Sequence, residues 1–367
     1  MVSSQEVSIE HDRYLTQWLK KNACAIVISS YKAGAALTLS NFNVDGNELT
    51  GLYINNFHRL TGLCYERDNL WMAANNNILK LNNIGPISEN KHDFDHCFIP
   101  KELRFVSDID LHDLSINSET NQIYFVSTLY NCIGCLDQTD SSKLFQVYWL
   151  PPWIDKVVGE DRCHLNGLTF RDGVPRYVTS CSESNIISGW RDNRKAGGIV
   201  YDLVENRVVC RGLSMPHSPR WHANRLWLLD SGSGYFGYID ENEQFVRKTF
   251  IPGFLRGLAF LGTQYALIGA SQDRHENVFM GLELGETLKK NNTTAKCGLY
   301  IVNLNTFAIA HSYIFTQGIT ELYDVALIPL NGRCRMIDFM DNLLNTINKE
   351  ITIWGGAPPP PLTPSPL

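Results

Sequence analysis

Six short segments of the sequence place polar residues at a repeated position. Each segment has a variable residue, then Leu or Pro, another variable residue, a Gly, Asp or Ser, and finally Leu, Val or Pro. The segments begin at Arg59, Asp110, His164, Met215, Phe254 and Glu321, and their third residues are Thr61, His112, Asn166, His217, Arg256 and Tyr323. Residues two apart in a strand share a face. We therefore expect the first and third positions to point the same way in every segment, and Ser218 to face away from His217.

These positions together supply imidazole, carboxylate, amide and guanidinium groups, which suit two chemistries. His112, His164 and His217, with Glu321 or Asp110, could hold a divalent metal that polarises a carbonyl or activates water. Without a metal, a histidine would act as general acid or base beside a carboxylate that orients it, and Arg256 would stabilise developing negative charge. A third interpretation is structural, because polar residues on such strands often only bind water and connect neighbouring units.

The predicted site residues follow from these alternatives. The candidate catalytic residues are His112, His164, His217, Arg256 and Glu321, and the candidate metal ligands are His112, His164, His217 and Glu321. Whether the protein carries a cofactor is left open, with a divalent metal as the candidate.

Two long segments, 180–198 and 271–298, are expected to lie on the same face as the repeated polar positions, where loops carry specificity. They bring Arg191 and Arg274 to that face of an otherwise acidic protein, which suggests an anionic substrate group. The alternative is that these cations pair with neighbouring acids. The candidate substrate-binding residues are Asp110, Asn166, Arg162, Arg191, Arg220, Arg274 and Tyr323.

The spacing of the segments predicts the fold that positions them. The third residues, at 61, 112, 166, 217, 256 and 323, lie 51, 54, 51, 39 and 67 residues apart. A second apolar strand follows each segment, and third and fourth strands are recognisable in the middle units. Four strands per unit at this period predict an all-β, six-bladed β-propeller. Seven blades are the alternative, because the N-terminal strands could form a blade of their own.

The two ends of the sequence are expected to close the ring. Residues 1–22 form an N-terminal segment with a short helix (11–21), and residues 23–345 form a single propeller domain. Strands before the first segment would complete the last blade and remove its open edge, and residues 335–339 would supply a second strand of that blade. Residues 355–367, GGAPPPPLTPSPL, are predicted from their composition to form a disordered proline-rich tail.

Composition limits the kinds of molecule that the protein is expected to bind. A net charge of −6 without a basic cluster argues against nucleic acid, and no apolar run is long enough to span a membrane. The N-terminus lacks a basic segment followed by an apolar run, which favours the cytoplasm. The ten cysteines would then be reduced and buried as small hydrophobes, Cys132 and Cys135 included.

Several long motifs resemble those of a known family. The motifs are EDRCHLNGLTFRDGVPRYVT, GWRDNRKAGG, GLSMPHSPRWH, LWLLDSGSGYFGYID, PGFLRGLAF and ELYDVALIP. They are similar to a bacterial family, frequent in cyanobacteria and proteobacteria, that is catalogued as a domain of unknown function. The resemblance implies a propeller and brings no established reaction. The matched positions are His112, Asp113, Arg162, His164, Asn166, Arg191, His217, Arg220, Arg256 and Asp324.

We therefore expect an enzyme that binds a small anionic or peptide-like substrate over the channel mouth and carries out hydrolase, lyase or tailoring chemistry. The alternative is a non-catalytic propeller that presents the same face to a ligand or a partner protein. The expected partner is a small molecule or peptide, and neither nucleic acid nor a membrane is expected.

Overall fold

The computed structural model describes residues 7–89, 92–136, 142–272 and 281–339. Their alternating, β-branched and aromatic segments form strands throughout. The strands are β1 (Ser8–His11), β2 (Ala25–Ser30), β3 (Ala35–Val44), β4 (Asn47–Asn56), β5 (Leu60–Glu66), β6 (Asn69–Ala74), β7 (Asn77–Asn83), β8 (Ile87–Glu89), β9 (His92–Phe94), β10 (His96–Phe105), β11 (Leu111–Ile116), β12 (Ile123–Ser127), β13 (Cys132–Cys135), β14 (Gln146–Trp149), β15 (Leu165–Arg171), β16 (Val174–Ser180), β17 (Gly198–Asp202), β18 (Arg207–Leu213), β19 (Pro216–His222), β20 (Arg225–Asp230), β21 (Tyr235–Ile239), β22 (Phe245–Phe250), β23 (Phe254–Leu261), β24 (Tyr265–Ser271), β25 (Cys297–Asn303), β26 (Ile309–Gln317), β27 (Val325–Ile328) and β28 (Cys334–Met336). The helices are α1 (Leu15–Lys21), α2 (Trp190–Asn193) and α3 (Glu283–Lys290).

Six sheets form a closed ring and confirm the six-bladed propeller. Blade 1 is β5–β6–β7–β10, blade 2 is β11 to β14, blade 3 is β15 to β18, blade 4 is β19 to β22, blade 5 is β23 to β26, and blade 6 is β27–β2–β3–β4. The innermost strands contact one another in sequence, β5 to β11, β15, β19, β23, β27 and back to β5. The seven-bladed alternative is therefore wrong.

Strands from opposite ends of the chain close this ring. As predicted, β2 pairs antiparallel with β27, with Ala25 opposite Ile328, so the N-terminal strands complete blade 6. The predicted second strand of that blade is wrong, because β28 pairs parallel with β10 as a fifth strand of blade 1. The N-terminal segment also joins the propeller, since β1 pairs with β26 on the outer edge of blade 5.

The core is divided among the six interfaces between neighbouring blades. Each interface holds one cluster of buried apolar side chains. Helix α1 contributes Leu15, Trp18 and Leu19 to the cluster between blades 5 and 6. Cys132, in β13, is fully buried, and burial raises the pKa of its thiol to about 12, which fits a small apolar role. Among the described residues, no helix is long and apolar enough to cross a membrane.

Bulges change the direction of the repeated polar positions. The register of the innermost strand slips near the third and fourth positions in blades 1 to 5. A bulge places two residues opposite one and so interrupts the alternation of faces. His217 and Ser218 consequently line the same axial cavity, as do His112 and Asp113. The expectation that Ser218 faces away from His217 is wrong for this reason.

The first positions differ from expectation as well. In four segments this residue precedes the strand and has a left-handed φ of 48–54°, at Arg59, Asp110, His164 and Met215. Strand alternation therefore does not set the direction of this residue, and the predicted shared face of the first and third positions stays a prediction for these segments.

The fourth positions alternate around the ring. Asp113, Ser218 and Asp324 occupy blades 2, 4 and 6, and each accepts a hydrogen bond from a main-chain N–H of the next blade, at 3.1, 3.0 and 2.8 Å. Glycines occupy blades 1, 3 and 5. At Gly257, φ is +80° and a Cβ would lie 2.6 Å from the nitrogen of Val325, so only glycine fits. The propeller is thus built from three pairs of blades.

Candidate functional site

Arg220 forms an ion cluster with the carboxylates at two of the fourth positions. Its Nη1 donates to Asp113 Oδ2 at 3.0 Å, its Nη2 lies 3.6 Å from Asp324 Oδ1, and its Nε donates to the carbonyl of Leu258 at 3.2 Å. Burial raises the pKa of Asp324, and the Arg220 charge opposes that shift. Because its donors hold two buried carboxylates, Arg220 connects the blades. Its predicted role in substrate binding stays a prediction.

A small axial cavity lies beside this ion cluster. Its volume of about 10 Å³ leaves room for about one water molecule. It is lined by His112, Asp113, Asn166, His217, Ser218, Arg256, Tyr323 and Asp324. The cavity is therefore too small for an organic molecule. We call the end of the channel at which the innermost strands begin the mouth, and the first-position residues lie at this end.

His217 lies in this cavity as a neutral imidazole with a fixed tautomer. Its Nδ1 lies 2.8 Å from the carbonyl of Met215 and 2.9 Å from Ser231 Oγ. The Ser231 hydroxyl donates to the carbonyl of Leu255, so Nδ1 must carry the hydrogen. Burial, with the Arg256 charge adding to it, holds the pKa of His217 well below its ordinary value. Nε2 is buried and has no hydrogen-bond partner among the described residues.

His112 is held in a similar way from the mouth side. Its Nδ1 lies 3.3 Å from the carbonyl of Asp110 and 3.5 Å from the Asp110 carboxylate. Burial lowers its pKa to about 4, and the charges of His164 and Arg256 act in the same direction, against the effect of Asp110. Asp110, a predicted substrate-binding residue, thus orients a histidine.

His164 forms a carboxylate–imidazole pair that the sequence alignment missed. Its Nδ1 donates to Asp161 Oδ2 at 2.8 Å, and its ring stacks on Trp190 with centroids 4.1 Å apart. The His112 ring meets it edge to face at 5.1 Å. Asp161 lies three residues before His164 and outside the repeated positions. Its position in the polar run before the strand was the available signal.

Arg256 is the cation of the site. Its guanidinium lies over the Tyr323 ring at 4.5 Å and near Phe254 at 5.7 Å. In the part of the chain that the structure describes, no carboxylate is ion-paired with it. Tyr323 also meets the His112 ring at 5.6 Å, so the cation and the imidazoles share one aromatic neighbour.

The proposed metal ligands receive no support from this arrangement. Across residues 7–89, 92–136, 142–272 and 281–339, no three His, Cys, Asp or Glu side chains are grouped to hold a metal ion. His112, His164, His217 and Glu321 are therefore not assembled as a ligand set. Glu321 is fully buried, and its Oε2 accepts a hydrogen bond from the main-chain N–H of Lys32 at 2.8 Å, which holds the turn between β2 and β3.

The remaining predicted residues have varied surroundings. The Arg162 guanidinium donates hydrogen bonds to Glu160, Asp155 and Asn185, and its predicted role in substrate binding stays a prediction. Asn166 accepts the Thr179 hydroxyl at 2.6 Å and reaches the cavity. Arg191 is exposed on α2, 4.4 Å from the ring of Trp190. Arg274 lies outside the described residues.

An apolar cluster covers one half of the mouth, and we call it the lid cluster. It joins the loop between β16 and β17, the segment around α3 and two first-position residues. Its buried members are Cys181, Trp190, Met215, Phe254, Leu282, Leu284 and Leu288. Helix α3 is attached to blade 4 by Glu283, which accepts two hydrogen bonds from Arg247, at 2.5 and 2.7 Å. The prediction that both long segments lie on this face is confirmed for their described residues.

The other half of the mouth is open. A pocket of about 370 Å³ lies over blades 6, 1 and 2. It is lined by Tyr31, Arg59, Thr61, Asn75, Asp108, Asp110, Leu111 and Leu129. The Tyr31 ring lies 6.2 Å from that of Tyr323, so the pocket adjoins the axial cavity. This volume suits a small molecule.

Known structures resemble the chain only in fold. A nidogen/laminin complex matches with a TM-score of 0.49 and 11% identity, over 84% of this chain and 99% of that one. A gluconolactonase from Xanthomonas campestris matches with 0.46 and 10%, over 80% and 85%. A streptogramin B lyase matches with 0.38 and 11%, over 86% and 99%. Similarities this weak have no implication for the chemistry.

Sequence comparison is more specific. No curated protein matches the chain. A family model matches residues 13–337, which include every blade and all the site residues described above. The chain belongs to the family described as Domain of unknown function (DUF4915).

Proposed function

We propose that the protein is an enzyme that carries out acid–base chemistry on a small anionic substrate at the channel mouth. His164, oriented by Asp161, acts as the general base or acid, and Arg256 binds the anionic group. The observation that carries the proposal is the 2.8 Å contact between His164 Nδ1 and Asp161 Oδ2 in a site whose cation has no described carboxylate partner.

The pair supports this role for a simple reason. A carboxylate that accepts from Nδ1–H fixes the ring and its tautomer, and it stabilises the imidazolium that forms when Nε2 takes a proton. Trp190 stacks on the same ring and restricts it further. His164 is thereby held ready for proton transfer, which is worth about 10²- to 10⁴-fold in rate when a group is well positioned.

Arg256 supplies the complementary charge. Negative charge that develops on a substrate as a proton leaves is stabilised by a nearby fixed cation, and more strongly where protein excludes water. The lid cluster excludes water over blades 3 to 5, and the open pocket admits the substrate from the other side. This combination suits hydrolysis, elimination or another reaction that begins with proton transfer.

The test compares variants in a metabolite screen. We would incubate the purified protein with a small-molecule extract of its own cells and follow compounds that appear or disappear by mass spectrometry. His164→Gln and Asp161→Asn should remove or strongly slow the changes seen with the natural protein. His222→Gln is the matched control, since His222 ends β19 on the opposite face and stacks on Phe260.

Equal conversion by the natural protein and by His164→Gln would refute the proposed role of the pair. Retention of an unchanged small molecule, with no conversion by any variant, would favour the non-catalytic binding propeller.

A further inference from the structure

We infer that the site selects substrates that carry a hydroxyl or amine beside their anionic group, such as small hydroxy acids or amino acids. The inference takes the location of the site from the proposed function and adds the class of molecule that it accepts. It depends on which ring nitrogens of the three histidines carry hydrogen.

The hydrogen bonds assign the same tautomer to all three rings. Nδ1 of His217 and of His112 faces a main-chain carbonyl, and Nδ1 of His164 faces a carboxylate. Carbonyl and carboxylate oxygens only accept, so each Nδ1 must donate. In a neutral ring the other nitrogen, Nε2, then has a lone pair and no hydrogen. Burial keeps His112 and His217 neutral, so these two imidazoles offer the site acceptors alone.

Acceptors of this kind require a donor on the ligand. His217 is 4% exposed, lines the axial cavity, and its Nε2 has no partner among the described residues. A buried acceptor left without a partner is costly, so an O–H or N–H group is favoured there. A carboxylate or phosphate oxygen would instead meet the imidazole lone pairs and be repelled.

The anionic group has a separate position close by. Arg256 lies over one face of Tyr323 at 4.5 Å, and the ring of His112 lies 5.6 Å from the Tyr323 centroid. His217 and Arg256 line the same small cavity. A cavity of about 10 Å³ brings these two side chains close together, which favours a ligand whose donor and anion lie on adjacent carbon atoms.

The rest of the ligand extends into the open pocket. That pocket has a volume of about 370 Å³, and its polar lining includes Arg59, Asp108 and Asp110. Asp110 belongs both to the pocket and to the hydrogen bonding of His112, so the two regions meet at this residue. The molecule is therefore small, polar and attached through its hydroxy-acid or amino-acid end.

The binding test uses three matched acids. Lactate, alanine and propionate share a carboxylate and a methyl group, and they differ in bearing a hydroxyl, an amine or neither. We would measure their affinities for the full chain by NMR titration, with both enantiomers of lactate and alanine. Lactate or alanine should bind about tenfold more tightly than propionate, which corresponds to about 1.4 kcal/mol for the added hydrogen bond. The two arms also distinguish the hydroxyl from the amine.

Two variants and a direct tautomer measurement complete the test. His217→Phe keeps a ring and removes the acceptor, so the affinities for lactate and alanine should fall to about that of propionate for the same variant. Arg256→Met should weaken the binding of all three acids. Long-range ¹H–¹⁵N correlation spectra should show Nδ1–H tautomers for His112, His164 and His217. These spectra also show whether each variant keeps the fold.

Several results would overturn the inference. Equal affinities for the three acids, binding of none of them, Nε2–H tautomers, or a stoichiometric metal ion in the purified protein would each overturn the inference. A preference for donor-bearing acids without any conversion would retain the inference and remove the proposed catalysis. Conversion of a substrate that has no donor group would support the proposed catalysis and overturn the inference.

Discussion

Acid should destabilise the folded protein through His112 by an amount that can be calculated. Burial is the main reason why the pKa of this imidazole falls from 6.5 to about 4, and His112 is only 8% exposed. As the pH decreases, the unfolded chain takes up the proton first. The stabilising contribution is therefore complete above pH 6.5 and is lost as the pH falls to about 4. At 1.36 kcal/mol per pH unit, the difference between the pKa values of 6.5 and about 4 corresponds to about 3 kcal/mol, of which about 2 kcal/mol is lost by about pH 5.

The assay is urea unfolding at about pH 7.5 and about pH 5, followed by tryptophan fluorescence. His112→Gln cannot take up this proton, so its free energy of unfolding should fall about 2 kcal/mol less between the two pH values than that of the natural protein. His222→Gln, with its ring on the opposite face, should behave like the natural protein. An equal acid loss in His112→Gln and the natural protein would refute the assignment of His112 as a buried neutral ring.

Three other changes test the geometry. Arg220→Met should lower the free energy of unfolding by about 3–5 kcal/mol at neutral pH, because it leaves buried carboxylates without their cation. A loss below about 1 kcal/mol in urea unfolding would contradict that role. Gly257→Ala should lower the free energy of unfolding by more than about 2 kcal/mol in the same assay, because a Cβ would meet the main chain of blade 6. Gly262→Ala is the control: a Cβ there has nothing within 4 Å, so the loss should be about 1 kcal/mol or less. Asp161→Ala should shift His164 toward the Nε2–H tautomer in ¹H–¹⁵N correlation spectra, and an unchanged tautomer would show that Asp161 does not orient the ring.

The repeat made the fold predictable, because six equivalent segments at blade spacing and extra strands at the N-terminus leave few ways to close a β-structure. The partner of β28 was not predictable in the same way. Three residues, Cys334 to Met336, contain no pattern that distinguishes a second strand of blade 6 from a fifth strand of blade 1. Their position after a short connection decides the pairing, and it becomes evident only in three dimensions.

The part of the site that consists of third-position residues could be predicted from the sequence. His112, Asn166, His217, Arg256 and Tyr323 all line the axial cavity, as their shared place in the repeat indicated. Local spacing could not show the bulges that turn the fourth positions to the same cavity.

Charge pairing between distant residues was also hidden. Arg220 and Asp113 are 107 positions apart in the sequence. The sequence therefore could not show that the Arg220 guanidinium binds a buried carboxylate. Asp161 was missed for a different reason: it lies outside the aligned segments, although it is only three residues from His164.

The way in which the ring closes implies an order of events during synthesis. Blades 2, 3 and 4 each consist of four consecutive strands, so each can form as soon as its own residues are available. Blade 6 has its outer strands near the start of the chain, and Asn56, the end of β4, precedes Val325 of its innermost strand by 269 positions. Until that strand arrives, β2 exposes an unpaired apolar edge, which is the kind of edge that promotes aggregation. The nascent chain is therefore expected to need protection at β2 for most of its synthesis.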